Sequence, residues 1–192
     1  TAKKIKGVFS IIHGDMNLQN ILYTRRKDEK GEEVFNFWLI DFANTQKGPI
    51  VYDFVNLENE IRLQCISITL WNLIMKRNWE KLRETLDFFI NCEMDILRYG
   101  FAHLTENDWR MRWYGHKEIE KFYLMINHIR EKAGIRGIEK NEYLLSLYYK
   151  ALLSIKYPAE IDKKKHIDAP LPRILTFLTA GICCGALLKA EV

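Results

Sequence analysis

After Asp41 the apolar residues stop falling in short runs and begin to fall on helical stripes, which limits the chain to a small β layer followed by a helical body. Before that point, Val8 to Ile12 is a short apolar run. A second run, Ile21 to Thr24, is separated from Val34 to Ile40 by the polar segment Arg25 to Glu33 with its Gly31, a pattern that predicts a hairpin. Beyond it, Leu57, Ile61, Cys65 and Ile68 share one helical face. Trp79, Leu82, Leu86, Phe89, Ile90, Met94 and Leu97 continue in the same style, so two helices are predicted here. Ile119, Phe122, Tyr123, Ile126 and Ile129 trace a further stripe, which Gly134 is expected to cap in a left-handed conformation. Leu144, Leu147, Tyr148, Ala151 and Ile155 trace another, ended by Pro158. Leu171 to Lys189 is the last, with Pro170 and Pro172 near its start, where a missing N–H does little harm. Residues 159–168, with Lys163, Lys164 and Lys165, read as an exposed connection.

The polar residues that interrupt the β layer are of the types phosphoryl transfer uses. His13-Gly14-Asp15-Met16-Asn17-Leu18-Gln19-Asn20 stands between two apolar runs as HGDxxxxN. Phosphoryl transfer needs positioning and charge neutralisation more than covalent chemistry. One carboxylate must meet the substrate hydroxyl while an amide nearby holds magnesium, and Asp15 and Asn20 can do both from one loop. Phe37-Trp38-Leu39-Ile40-Asp41-Phe42 is an apolar strand that delivers a second carboxylate at its end. The two elements together would make an oxygen-rich site of the kind magnesium prefers, with few carboxylates and room for phosphate oxygens and water.

These residues resemble the catalytic loop and metal-binding strand of the aminoglycoside phosphotransferases, choline kinases and their relatives, and Gly48-Pro49-Ile50-Val51-Tyr52-Asp53-Phe54 is similar to the same family. The resemblance covers His13 to about Arg62, and the helical remainder by general plan. It implies Asp15 as catalytic base, Asn20 and Asp41 as ligands of the magnesium that accompanies ATP, and His13 as a brace for the loop. Asp53 would be structural, opening the next helix by accepting its N-terminal N–H groups. Protein kinases commonly place a lysine two residues after the base and a glycine two residues after the metal aspartate; Asn17 and Ala43 stand there, which with Gly14 favours a small-molecule acceptor. The implied fold is α+β and mainly helical: the C-terminal lobe of a protein kinase-like fold, with a short β-hairpin carrying the catalytic loop. Residues 1–55 would hold the loop, hairpin and metal strand, and residues 56–192 the helical body of the same single lobe. Only 12 residues precede His13, and no Walker-type GxxxxGK occurs, so a nucleotide-binding N-terminal lobe or neighbouring domains of a larger protein are expected as partners. The implied activity is ATP- and magnesium-dependent phosphorylation of a hydroxyl on a small molecule such as an aminoglycoside or amino-alcohol. The rival is a catalytically inactive kinase-like binding or regulatory module of a larger signalling protein.

The remaining candidates are weaker. Trp109, Trp113 and Tyr114 could line a pocket for a cationic acceptor, or simply anchor a connection on the helical body. Glu58 and Glu60 could face a cationic substrate, or form a solvated first turn favourable to a helix dipole. His103, His116, His128 and His166 lack metal-ligand spacing. Cys183 and Cys184 lie on an apolar helix and read as core, and the four cysteines show no C-x-x-C, as expected of reduced thiols in a cytoplasmic protein. The 29 basic and 25 acidic residues are too evenly mixed for a nucleic-acid footprint. No signal-type segment follows Thr1 to Lys6, and Ile174 to Leu188, at 15 residues, is short of a membrane span and is expected to be a buried core helix.

Overall fold

The computed structural model describes residues 7–99, 117–156 and 170–189. It is mainly helical with a small β component. Four strands come first: β1 (Phe9–Ile12), β2 (Ile21–Lys27), β3 (Glu33–Leu39) and β4 (Gln46–Pro49). Then follow α1 (Val51–Glu60), a π-helical segment (Ile61–Ile66), α2 (Ser67–Met75), α3 (Trp79–Tyr99), α4 (Lys117–Ile135), α5 (Lys140–Lys156) and α6 (Pro170–Lys189).

The predicted hairpin forms and is longer than the apolar runs that announced it. β2 and β3 pair antiparallel from Ile21↔Leu39 to Lys27↔Glu33, so Arg25, Arg26 and Lys27 belong to the strand, not to the connection. Asp28 closes the turn, its Oδ1 accepting the N–H groups of Lys30 at 2.9 Å and Glu32 at 2.8 Å. The second sheet was not anticipated. β4 returns antiparallel to β1, with Phe9↔Pro49 and Ile12↔Gln46 as its ends. This pairing brings residues 13–20 and 40–45 together, with the Ile40 N–H bonded to the Asn20 carbonyl.

The helical body also departs from the sequence reading in three places. The stripe through Leu57 and Ile68 runs without a break from Val51 to Met75, with one wider π turn inside it, so the boundary expected at residue 55 falls within α1. Gly134 is not a cap but a residue of α4. The cap is Gly137 at φ +80°, and the N–H groups of Gly137 and Ile138 return to the carbonyls of Gly134 (2.9 Å) and Ala133 (3.2 Å). Ile138 and Ala133 are both buried in one apolar cluster of the core. The third departure is α6, which is not wholly buried.

The same terminus ends α2, but with Arg77 in the left-handed position at φ +52°. The N–H groups of Arg77 and Asn78 bond the carbonyls of Ile74 (2.9 Å) and Leu73 (3.0 Å). A side chain is strained in this conformation and glycine is not. Arg77→Gly is therefore expected to raise stability by up to about 1 kcal/mol, measured by urea denaturation.

Among the described residues, two large apolar clusters lie in the body, with a small third one around Leu63. One gathers Ile61, Ile66, Leu70, Phe88, Phe89, Ile119, Tyr123, Ile126 and Leu175; the other gathers Val51, Val55, Tyr143, Leu144, Leu147 and Cys183. Burial pushes the Cys183 thiol up to about 12, so it stays protonated, as a core residue would. α6 is only half sunk into this core. Leu171, Leu175, Ala180 and Cys183 are buried, whereas Ile174, Phe177 and Leu188 are exposed. By length and composition Leu171–Leu188 is long and apolar enough to cross a membrane, which replaces the shorter stretch counted from sequence.

Candidate active site

The loop after β1 is built from the backbone outward. His13 follows the strand, and its N–H donates to Asp53 Oδ2 at 2.7 Å; the next N–H, of Gly14, donates to Asp53 Oδ1 at 3.0 Å. Asp53 sits in the first turn of α1. Its carboxylate thus clamps the loop to the helix instead of accepting the helix's own N–H groups, which corrects the role expected from sequence. Gly14 has φ +80°, and a Cβ there would lie 2.2 Å from the Asn44 carbonyl oxygen, so no side chain fits.

His13 braces the loop from the other side. Its Nε2 lies 2.8 Å from the Ile40 carbonyl oxygen. A carbonyl only accepts, so Nε2 carries the proton and the ring is held in one tautomer. The imidazole also packs on Phe42, with ring centroids 5.0 Å apart. These contacts tie the loop to the end of β3, and the Ile40 N–H closes the link by donating to the Asn20 carbonyl at 3.0 Å.

Asp15 and Asn20 meet within the loop. Asn17 caps a single turn, Leu18–Asn20, through Oδ1, which accepts the N–H groups of Gln19 (2.9 Å) and Asn20 (3.1 Å). That turn swings the Asn20 side chain back, so Nδ2 donates to the Asp15 carbonyl at 2.8 Å and to Asp15 Oδ2 at 3.3 Å. With its nitrogen committed to Asp15, the Asn20 amide has Oδ1 as the oxygen to offer a cation. Asp41 lies two residues beyond the end of β3 in a left-handed conformation, φ +60° and ψ +64°, and is exposed. Aspartate is among the few residue types that tolerate this region, which is enriched at functional sites. Among the described residues no three or more of His, Cys, Asp and Glu group as metal ligands. One carboxylate, Asp41, and one amide, Asn20, suit an ion that takes most of its oxygens from phosphate and water, as magnesium does.

Of the substrate candidates, Glu58 is placed elsewhere. It is fully buried, with its carboxylate held by Arg62, Arg130 and Tyr143, so it neither faces a cleft nor forms a solvated turn. Trp109 and Trp113 lie outside the described residues, as do Tyr114, His103, His116, His166 and Lys163 to Lys165. Glu60, at the end of α1, is half-buried and accepts a hydrogen bond from Gln64 Nε2. Burial raises its carboxyl above the usual range and the Asp15 charge adds to this, while a hydrogen bond from Gln64 and the charge of Lys150 oppose it. Sequence reasoning missed Gln64 and Lys150; their only signal was a polar residue set four places from Glu60 and a lysine in the helix through Leu144 to Ile155.

Because folding raises the Glu60 carboxyl, the folded state prefers it protonated. Its ionisation opposes folding fully above the raised value, and not at all well below the ordinary 4.5. Glu60→Gln is therefore expected to raise the melting temperature near pH 8 and to leave it unchanged near pH 3.5, read by calorimetry at both values.

A family model described as ternary complex associated domain 9 matches residues 1–159. No curated protein and no solved structure matches the chain.

Proposed function

This chain belongs to the ternary complex associated domain 9 family, and we propose that it is the C-terminal catalytic lobe of an ATP- and magnesium-dependent phosphotransferase acting on a hydroxyl of a small molecule such as an aminoglycoside or amino-alcohol. One observation carries the reading. Asp15 and Asn20 are hydrogen-bonded to each other in a loop that Asp53 and His13 fix beside the strand end bearing Asp41. In this mechanism Asp15 accepts or orients the proton of the acceptor hydroxyl, and Asn20 and Asp41 would hold magnesium and, through it, ATP. The metal, when bound, neutralises charge on the phosphates. His13, Gly14 and Asp53 keep the base and the ligands in register.

A nucleotide-binding lobe is the expected partner, and the β layer offers it an apolar surface. Tyr23, Phe35 and Phe37 are exposed on one face of the hairpin with Leu39 beyond them, and Leu22 and Trp38 on the other. Phe9 and Ile11 of β1 and Phe42 after β3 are exposed as well. A two-stranded ribbon apolar on both faces is marginal by itself and suits a covered position.

The same surface supports a second reading, that of a catalytically inactive binding or regulatory module of a larger signalling protein. The family description names association in a ternary complex, which fits it. Magnesium-dependent ATP consumption by the full-length protein separates the two. Turnover stimulated by a pool of aminoglycosides and amino-alcohols, and lost in Asp41→Ala, is the expected result. Folded protein that binds partners but consumes no ATP with any acceptor would assign the chain to the second reading.

A further inference from the structure

We propose that the exposed face of α6 is a self-association surface, on which two copies of this chain pair antiparallel about a two-fold axis at Gly181. The helix lies beyond the segment that the family model matches, and the phosphotransferase reading makes no use of it. Ile174, Phe177, Gly181, Cys184 and Leu188 follow one another at spacings of three and four residues, the seam along which one helix packs on another. Ile174, Phe177 and Leu188 are 50%, 67% and 63% exposed, and Gly181 is exposed between them.

The seam is complementary to itself. Gly181 lies seven residues from both Ile174 and Leu188, and four from both Phe177 and Gly185. In an antiparallel pair centred on Gly181, Ile174 of one copy meets Leu188 of the other, and Phe177 meets Gly185. Each large ring is thus set against a position without a side chain. A Cβ built at Gly181 or Gly185 finds nothing within 4 Å, so both glycines open a strip of backbone that a second helix can approach closely. An isologous contact needs this reciprocity, in which one residue meets a second and the second meets the first. No charged residue occurs from Ile174 to Leu188, so two copies meet along the seam without like-charge repulsion.

The available area sets the strength. At roughly 150–250 Å² for the largest side chains, the three exposed residues present on the order of 400 Å² per copy, about half of the 800 Å² per partner typical of a stable dimer. The pair is therefore weak and depends on protein concentration. A lipid bilayer is the other apolar partner for such a helix, but Leu171, Leu175 and Cys183 on its inner face are core residues that insertion would strip from the fold.

Sedimentation equilibrium across the micromolar range tests the pairing. The chain is expected to move from one copy towards two as concentration rises, and Gly181→Leu to remain a single copy with its melting temperature undiminished, since the added side chain enters open space. Ile174→Glu and Leu188→Lys are each expected to weaken association at least tenfold. Mixed one to one they should regain it, because only the antiparallel pair sets position 174 against position 188. A chain that stays single at every concentration, a Gly181→Leu variant that still pairs, or a mixture that does not recover overturns the proposal. So does flotation with phosphatidylcholine vesicles in the absence of any dimer, which would give the face to lipid.

Discussion

Replacing Glu58 with alanine is expected to lower the melting temperature by roughly 10 °C, the equivalent of about 3–5 kcal/mol in a chain of this size. Glu58, Arg62, Glu93 and Arg130 are all buried and carry two charges of each sign. Arg62 reaches Glu93 Oε1 with Nε at 3.0 Å and Nη2 at 2.8 Å, and Glu58 Oε1 with Nη2 at 2.6 Å. Arg130 grips Glu58 from α4, its Nε donating to Oε2 at 2.8 Å, and the hydroxyls of Tyr143 and Tyr123 donate to Glu58 and Glu93. Taking away one acid leaves two guanidinium groups in the core with too few partners, which is more damaging than never having buried the network. Burial by itself would raise the Glu58 carboxyl, but Arg130 and Arg62, together with the hydrogen bonds, more than reverse this and hold it below the ordinary 4.5. Its contribution is therefore complete above that ordinary value and is lost as pH falls through the lowered one. The gap between wild type and Glu58→Ala should narrow on acidification below pH 4.5. A gap that stays constant down to pH 2 would show that the carboxylate is not what holds the helices together.

Asp15→Asn is expected to reduce phosphoryl transfer by the full-length protein by about 10²–10⁴-fold with little change in stability. The substitution keeps the shape of the side chain and removes its capacity to take a proton. The shorter of the two Asn20 contacts, 2.8 Å, is to the Asp15 backbone carbonyl and survives the change. Loop geometry is thereby separated from chemistry. A variant that unfolds would be uninformative about the base, so Gly14→Ala serves as the contrast: its methyl collides with the Asn44 carbonyl and should disturb the loop and the melting temperature together. If Asp15→Asn turned over at the wild-type rate, Asp15 would be a structural residue and the assignment of the base would fall.

How far the sequence disclosed these features depended on whether a feature was local. The hairpin was legible because two apolar runs flank a polar segment with a glycine, yet its ends were set short: Arg25, Arg26 and Lys27 extend a strand that their charges seemed to close. β4 escaped because Gln46-Lys47-Gly48-Pro49 has no apolar alternation and pairs with a strand far back in the chain. Gly134 and Gly137 are three residues apart, and the buried residue after the second, Ile138, was the signal that set them apart. The motif residues Asp15, Asn20 and Asp41 stood out by their placement. Glu58 was misread for the opposite reason. An acid close behind the metal strand reads as facing a cationic substrate or as a solvated first turn of a helix, and only the apolar neighbours Ile61 and Leu63 hinted that this stretch turns inward. The partners that complete the network, Glu93 and Arg130, come from other helices, and no local pattern connects them.

The clamp between Asp53 and the loop has a consequence for exchange with solvent. Asp53 and Glu58 ride on one ten-residue helix, the former holding the amides of His13 and Gly14 and the latter locked into the core. Those two amide protons are shielded only while α1 is seated, so their deuterium uptake reports opening of the helical body from a loop some forty residues away in sequence. In Glu58→Ala they should label together with the core amides, at a common rate set by the same opening event.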